Sequence, residues 1–134
     1  VAQAAARLRD SLSLFGADYP TPDGTCIRDY IHIQDIASGH VAALRHLMHG
    51  GSDFTVNLGT GQGTSVKQLI DTFESVNNVD VPYQVVSRRP GDVARYFADP
   101  SLAHRLLGWQ AKHGLEEMCR DAWRWQCLYP RGYD

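Results

Sequence analysis

The sequence predicts an α/β fold, of an α+β-like kind, on three observations. Short β-branched and aromatic runs alternate with stretches whose apolar residues recur at helical spacing. The helical stretches carry recognisable start and stop residues. The chain has 134 residues, 43% of them hydrophobic and 21% charged, which suits one globular domain over 1–134. A domain of this size buries roughly two-thirds of its unfolded surface, enough for a core without disulfides.

Residues 2–9 are alanine-rich and predict a helix. LSLF, 12–15, is short and apolar and stops at Gly16, as a strand does. ADYPTPDGT, 17–25, is turn-rich: two prolines fix φ, and Asp23-Gly24 suits a tight turn. CIRDYIHI, 26–33, reads as a strand from its β-branched and aromatic content. Asp35 is then a candidate cap for a helix carrying Ile36, Ala37, Val41, Leu44 and Met48, which Gly50-Gly51 end. FTVNL, 54–58, predicts the next strand. After a glycine-rich turn, Val66, Leu69, Ile70, Phe73 and Val76 make an apolar helical stripe, with Thr64 or Ser65 as its cap.

VPYQVVS, 81–87, and ARYFA, 94–98, predict strands on either side of the polar loop RRPGDV, 88–93. Asp99-Pro100 is a cap followed by an N1 proline, and that helix ends at Gly108. A last helix over about 115–128 predicts burial of Leu115, Met118, Ala122 and Trp125.

Composition narrows the function classes. Net charge is −2 with basic residues scattered, which argues against nucleic acid or an anionic membrane as partner. No stretch reaches the ~18 apolar residues of a membrane span. Cys26, Cys119 and Cys127 form no CxxC pair, as expected for reduced thiols in a cytoplasmic protein. His46 and His49 lie one helical turn apart, but no third ligand accompanies them, so no metal site is expected. The opening VAQAAARLRD has no initiator Met and reads as the middle of a helix, so a piece of a longer chain is expected. Only Lys67 and Lys112 are lysines among thirteen basic residues. That bias fits either planar recognition of phosphate or carboxylate, or simple codon usage.

NLGTGQGTSV, 57–66, resembles a dinucleotide cradle but departs from it. The fingerprint is G-x-G-x-x-G, whereas Gly59, Gly61 and Gly63 give G-x-G-x-G with Thr64 in the third place. Asp80 has the spacing of a ribose-binding acid yet precedes its strand. A structural turn is therefore expected, with no cofactor bound there.

SRRPGDVARYFADP, 87–100, carries more chemistry. Arg88 and Arg89 precede a rigid Pro-Gly corner, and Asp92 follows. Arginine grips a diphosphate through charge-assisted, bidentate bonds. An ionised aspartate accepts from a ribose diol. Arg28 adds a charge inside an otherwise apolar strand and needs a partner. Residue types alone leave two readings for each: Arg28 paired structurally to Asp29 or another acid, or facing a ligand, and Arg88-Arg89 as a solvated loop or a phosphate clamp.

Four stretches together resemble the C-terminal part of UDP-glucose 4-epimerases, members of the extended short-chain dehydrogenase/reductase family. They are SLSLFGADYPTPDGTCIRDYIHIQDIASGHVAAL (11–44), VNLGTGQGTSV (56–66), RRPGDVARYFADP (88–100) and LGWQAKHGLEEMCRDAWRWQ (107–126). DGTxxRDYIHxxD and RRPGDxxxxxAD are specific in combination. The resemblance implies that Arg28 and Arg89 contact the substrate diphosphate and that Asp92 takes the uridine ribose hydroxyls. It places Leu14 and Phe15 beside uracil, where backbone groups read the base and Phe15 stacks on it. It places Tyr96 beside the sugar C2 group, where its bulk favours glucose and galactose over their acetamido counterparts; a plain core aromatic is the other reading of Tyr96.

The implied activity is NAD-dependent interconversion of UDP-glucose and UDP-galactose in galactose metabolism. The implied fold is the substrate-binding C-terminal portion of a Rossmann-type enzyme, with its NAD-binding part absent. The family's Gly-rich start and its Tyr/Lys catalytic pair are not present, so no residue here is expected to be catalytic and the chain alone to be inactive. The full-length enzyme is expected to be a homodimer. Two alternatives remain: a stand-alone nucleotide-sugar module, and an epimerase of a UDP-pentose or UDP-uronate.

Overall fold

A computed structural model describes residues 1–133. Its elements in chain order are α1 (Ala2–Ala5), β1 (Leu12–Phe15), β2 (Ile27–Arg28), α2 (Ile33–Met48) and β3 (Thr64–Ser65), then α3 (Val66–Asn77), β4 (Tyr83–Val86), β5 (Arg95–Tyr96), α4 (Ser101–Leu107) and α5 (Leu115–Leu128). Two small sheets result. β1 and β4 pair in parallel, from Leu12 opposite Tyr83 to Phe15 opposite Val86. β2 lies centrally in the second, antiparallel to β3 and parallel to β5.

The core forms where α3 packs on α5 beneath β1. Ala4, Leu14, Ile70, Phe73, Val81 and Cys119 are its buried members, and Phe73 meets Trp123 edge-on at 5.9 Å between ring centroids. Burial pushes the Cys119 thiol up to about 11, so it stays protonated and behaves as a small hydrophobe. Ser65 caps α3: its hydroxyl accepts from the Gln68 amide at 3.0 Å. Asp99 accepts from the Ser101 amide at 2.9 Å ahead of α4, and Gly108 ends that helix in the left-handed region, at φ 61°.

Several elements differ from the sequence reading. The helix expected over 2–9 ends at Ala5, because Arg7 takes a left-handed conformation at φ 58°. The strand expected over 26–33 is confined to Ile27 and Arg28, since α2 already begins at Ile33. Asp35 does not cap that helix. His32 does, its Nδ1 accepting from the Gln34 amide at 3.1 Å. Similarly, only Arg95 and Tyr96 of 94–98 pair as strand.

FTVNL, 54–58, is extended without being a strand. Phe54, Val56 and Leu58 alternate in burial with exposed Thr55 and Asn57, and two of them pack on α2: Phe54 meets His46 edge-on, and Leu58 fills the space a side chain at Gly39 would take. No described strand lies alongside to supply a ladder, and a strand is defined by its neighbour.

The last helix presents a different face from the one expected. Cys119 and Gln126 are buried, whereas Ala122 is exposed and Trp125 is 43% exposed. Met118, Ala122, Trp125 and Leu128 instead line an apolar groove of about 920 Å3. The apolar residues of α2 also face outward, with Val41, Leu44 and Met48 exposed. Among the described residues no helix is long and apolar enough to cross a membrane, and no cluster of three or more His, Cys, Asp or Glu side chains is placed to hold a metal.

Candidate functional site

The parallel pairing of β1 with β4 brings the ends of both strands together. The Gly16 amide donates to the Val86 carbonyl at 2.9 Å, so the 88–93 loop leaves β4 directly beside Phe15. The same loop then runs into β5, which pairs with β2 and sets Arg28 opposite Tyr96. Residues far apart in sequence thus meet at one corner.

Arg28 is the centre of that corner. Its Nη1 donates to the carbonyls of Ile27 and Val93, each at 2.8 Å. Its Nη2 reaches Asp92 Oδ1 at 3.4 Å. Arg89 approaches the other carboxylate oxygen, Nε to Oδ2 at 3.3 Å. The Arg89 guanidinium also lies 4.5 Å over the Phe15 ring, a cation–π contact. So Arg28, Arg89, Asp92 and Phe15 form a single contiguous cluster. Two guanidinium groups flank one carboxylate, leaving donors for a second anion. Arg28 is thereby partnered with Asp92, and not with its neighbour Asp29.

The paired arginines divide their roles. Arg88 Nε donates to Asp18 Oδ1 at 2.7 Å and its Nη2 to the Asp18 carbonyl at 2.6 Å. Its guanidinium stacks 4.2 Å over Tyr19. The hydrogen bond from Arg88 holds the Asp18 carboxyl below the usual carboxylate range. Arg88 is committed to pinning the loop after Phe15. Arg89 keeps an exposed side chain at 61%.

The remaining sequence-predicted residues fall in different places. Leu14 points the opposite way from Phe15 and is 2% exposed in the core, as strand alternation requires; only its backbone is available to a ligand. Tyr96 is 71% exposed, which removes the core-aromatic reading within this chain. The larger hollows lie elsewhere. The groove of about 920 Å3 along α5 has mostly apolar walls, and Arg124 is the one arginine among the described residues that line it, so it offers a diphosphate no pair of guanidinium groups. The charged cluster is therefore the better ligand site despite its open shape.

The glycine turn has an internal occupant. Asp29 Oδ2 accepts from the amides of Gly61 at 3.1 Å and Ala98 at 3.2 Å, and Oδ1 from the Thr60 amide at 3.0 Å. Thr60 Oγ1 also donates to Oδ1. A side chain at Gly59 would sit 2.6 Å from Oδ2, and one at Gly63 would sit 2.5 Å from Ile27. Only Gly61 of the three has positive φ, at 71°. Converging backbone amides are what a phosphate cradle offers, but here a carboxylate of the same chain fills them. These residues do not fit a dinucleotide. In the sequence Asp29 was read only as a possible partner of Arg28, although a turn rich in unpaired amides was also visible.

Comparison with known proteins shows what the whole chain is similar to. A family model described as GDP-mannose 4,6 dehydratase matches residues 1–122. The UDP-glucose 4-epimerase of Bacillus subtilis is 53% identical over 133 residues, which is 99% of this chain and 39% of that protein. The UDP-glucose 4-epimerase of Homo sapiens is 50% identical over 133 residues, 99% of this chain and 38% of that protein. Among solved structures, the UDP-glucose 4-epimerase of Bifidobacterium longum in complex with NAD+ and UDP superposes with a TM-score of 0.90 at 40% identity, covering 98% of this chain and 39% of that one. The UDP-Glc/GlcNAc 4-epimerase of Campylobacter jejuni gives 0.83 at 43% identity, covering 95% and 39%. The chain spans about two fifths of the length of the relatives it matches. Its mixed α/β fold is that of the C-terminal region of extended short-chain dehydrogenase/reductase epimerases. By the match over residues 1–122, the chain belongs to the GDP-mannose 4,6 dehydratase family.

Proposed function

We propose that this chain is the nucleotide-sugar-binding domain, residues 1–134, of a UDP-glucose 4-epimerase. It grips the UDP handle while the hexose is converted between glucose and galactose forms. The observation that carries this reading is the convergence of Arg28, Arg89 and Asp92 beside Phe15. Arg28 and Arg89 donate to the diphosphate, and Asp92, already flanked by both, accepts from the ribose hydroxyls. Phe15 stacks on uracil and the Leu14 backbone reads its edge. Tyr96, exposed and opposite Arg28, narrows the space beside the sugar C2 and favours glucose and galactose.

NAD supplies oxidation at sugar C4 and return of the hydride in this family's chemistry. In this reading it is held outside these residues, because the glycine turn is filled by Asp29. The proton-transfer pair also lies outside. No tyrosine here has a lysine four positions on; glycines, Gly63 and Gly108, stand four before Lys67 and Lys112. The 134 residues alone are expected to show no conversion of UDP-galactose in a coupled assay with added NAD. Turnover by these residues alone would refute that assignment.

The binding role is tested on the full-length protein that carries these residues. Arg89→Ala is expected to lose about 1.5–3 kcal/mol of UDP affinity, the scale of one charged hydrogen bond. Calorimetric titration of both proteins with UDP reads this directly, and equal affinities would remove Arg89 from the site.

A further inference from the structure

We propose that Asp29 is a positioning residue of the nucleotide site, holding Arg28 in its binding geometry by clamping both neighbours of β2. The inference rests on the diphosphate role given to Arg28 under Proposed function. It starts from how little else fixes that strand. Each ladder of β2 is two residues long: Ile27 and Arg28 against Ser65 and Thr64 on one side, and against Arg95 and Tyr96 on the other. Ladders this short are marginal on their own.

Asp29 is the next residue, and its carboxylate continues the hold on both sides. Toward the segment that leads into β3, it accepts from the amides of Thr60 and Gly61. Toward the segment that leaves β5, it accepts from the Ala98 amide at 3.2 Å. Bonds from amides to an ionised acceptor are stronger than neutral ones. Gly59 makes the approach possible, since any side chain there would strike Asp29 Oδ2 and Ala98 Cβ, at 2.6 and 2.7 Å. Arg28 is therefore held at its Cα between two anchored flanks, and the Val93 carbonyl directs its guanidinium toward Asp92.

Charge and positioning predict opposite signs for a substitution. Removing a negative charge one residue from a diphosphate site favours the anion by Coulomb's law. Losing the clamp disfavours it. Asp29→Asn removes the charge and turns an NH2 group toward amide donors, leaving one acceptor oxygen where two were used.

The test uses the full-length protein, titrated with UDP and with uridine. Asp29→Asn is expected to weaken UDP binding about tenfold, the scale for a misplaced binding group, with a clearly smaller fall for uridine, which meets Arg28 only through Asp92. Thr60→Ala, which removes one donor to Asp29 and keeps the amides, is expected to weaken UDP about threefold, again with a smaller fall for uridine. Thr60→Ala decides the matter should Asp29→Asn fail to fold. UDP affinity that is unchanged or raised overturns the proposal. So does a proportional fall for UDP and uridine, the signature of general loosening. If wild type binds UDP and Arg89→Ala weakens it while the Asp29 and Thr60 variants behave as wild type, this inference alone fails. If wild type does not bind UDP, both readings fail.

Discussion

Arg28→Ala is expected to weaken UDP binding by about 2–4 kcal/mol, on the order of a hundredfold, the range for truncating one partner of a hydrogen-bonded charge pair. The loss exceeds that for Arg89→Ala because Arg28 does more. Its Nη1 ties the Ile27 and Val93 carbonyls, so it holds the 88–93 loop against β2. Its Nη2 holds Asp92. On the proposed roles, removing it takes away a diphosphate donor and also releases the carboxylate that accepts from ribose. Uridine affinity should therefore fall as well as UDP affinity. Arg89 is more exposed and holds Asp92 by one contact without tying the loop carbonyls, so its removal should lower uridine affinity less than removal of Arg28 does. Titration of both variants with both ligands separates the roles. Arg28→Lys keeps a positive charge but not the planar fork that spans two carbonyls and a carboxylate, and should fall between. An Arg28→Ala protein that binds UDP as tightly as wild type would mean that the corner where β1, β2 and the 88–93 loop meet is not the ligand site.

How much of this corner can be read in the sequence depends on the range of each interaction. Two helix ends were legible because caps act within a turn: Ser65 for α3 and Gly108 after α4; α4 starts one residue later than Asp99-Pro100 suggests, with Pro100 in the cap position. LSLF and YQVV were legible as short apolar runs with turn residues beyond them. FTVNL has the same local pattern and is not a strand, because pairing depends on a neighbour that no local pattern encodes. The apolar spacing of 115–128 gave the helix but not its rotation. Leu115, Cys119 and Trp123 line the side that meets α3, and Met118, Ala122 and Trp125 fall on the next strip round. A stripe of apolar residues that runs most of the way round a helix does not say which part is buried.

The site follows the same rule. Arginines and an aspartate in one loop, with another arginine in a strand, left anion binding and plain structural pairing both open from residue types alone. Their meeting required the β1–β4 and β2–β5 pairings, which join residues more than sixty positions apart. The distinction between Arg88 and Arg89 was not legible from residue types; only the family resemblance singled out Arg89. It arises from Asp18 and Tyr19, which approach one arginine and not the other. Asp29 and Asp35 were hidden for a related reason. Each was read by its place in the chain, as a partner for an adjacent arginine and as a helix cap, while their actual partners are backbone amides 31 and 77 residues away.

Asp35 leads to the second large expected effect, on stability. Asp35→Ala should destabilise the full-length protein by about 3–5 kcal/mol, the cost of breaking a buried charged network. The residue is 2% exposed. Its Oδ2 accepts from the Lys112 and His113 amides, each at 3.0 Å, and its Oδ1 meets His113 Nδ1 at 2.8 Å. Trp109 adds to the same junction through the Asp35 carbonyl. The carboxylate thus fastens the first turn of α2 to the segment that leads into α5. Burial pushes its carboxyl upward, but the His113 amide and ring and the Lys112 amide outweigh that, and the net displacement is downward.

The sign of the pH dependence follows. A carboxyl whose folded pKa lies below its unfolded value of about 3.9 contributes stability that is fully present above that pH. The contribution disappears as pH falls through the lowered folded value. Asp18 and Asp23 titrate in the same direction, so the acid loss of wild type does not report on Asp35 alone. The difference between wild type and Asp35→Ala does. Denaturant unfolding should show a gap that is constant from pH 7 to about 5 and narrows below about 4. A gap independent of pH would mean that Asp35 acts through its shape and not its charge. UDP affinity at neutral pH should be unchanged while the variant remains folded, because Asp35 holds the far end of the RDYIHIQD stretch. Arg28 starts that stretch at the ligand corner, Asp29 clamps the glycine turn, His32 caps α2, and Asp35 locks the helix to the 112–113 segment. If Asp35→Ala weakened UDP binding as Arg28→Ala does, these roles would not be separable, and the ligand corner would depend on the whole segment and not on its first two residues.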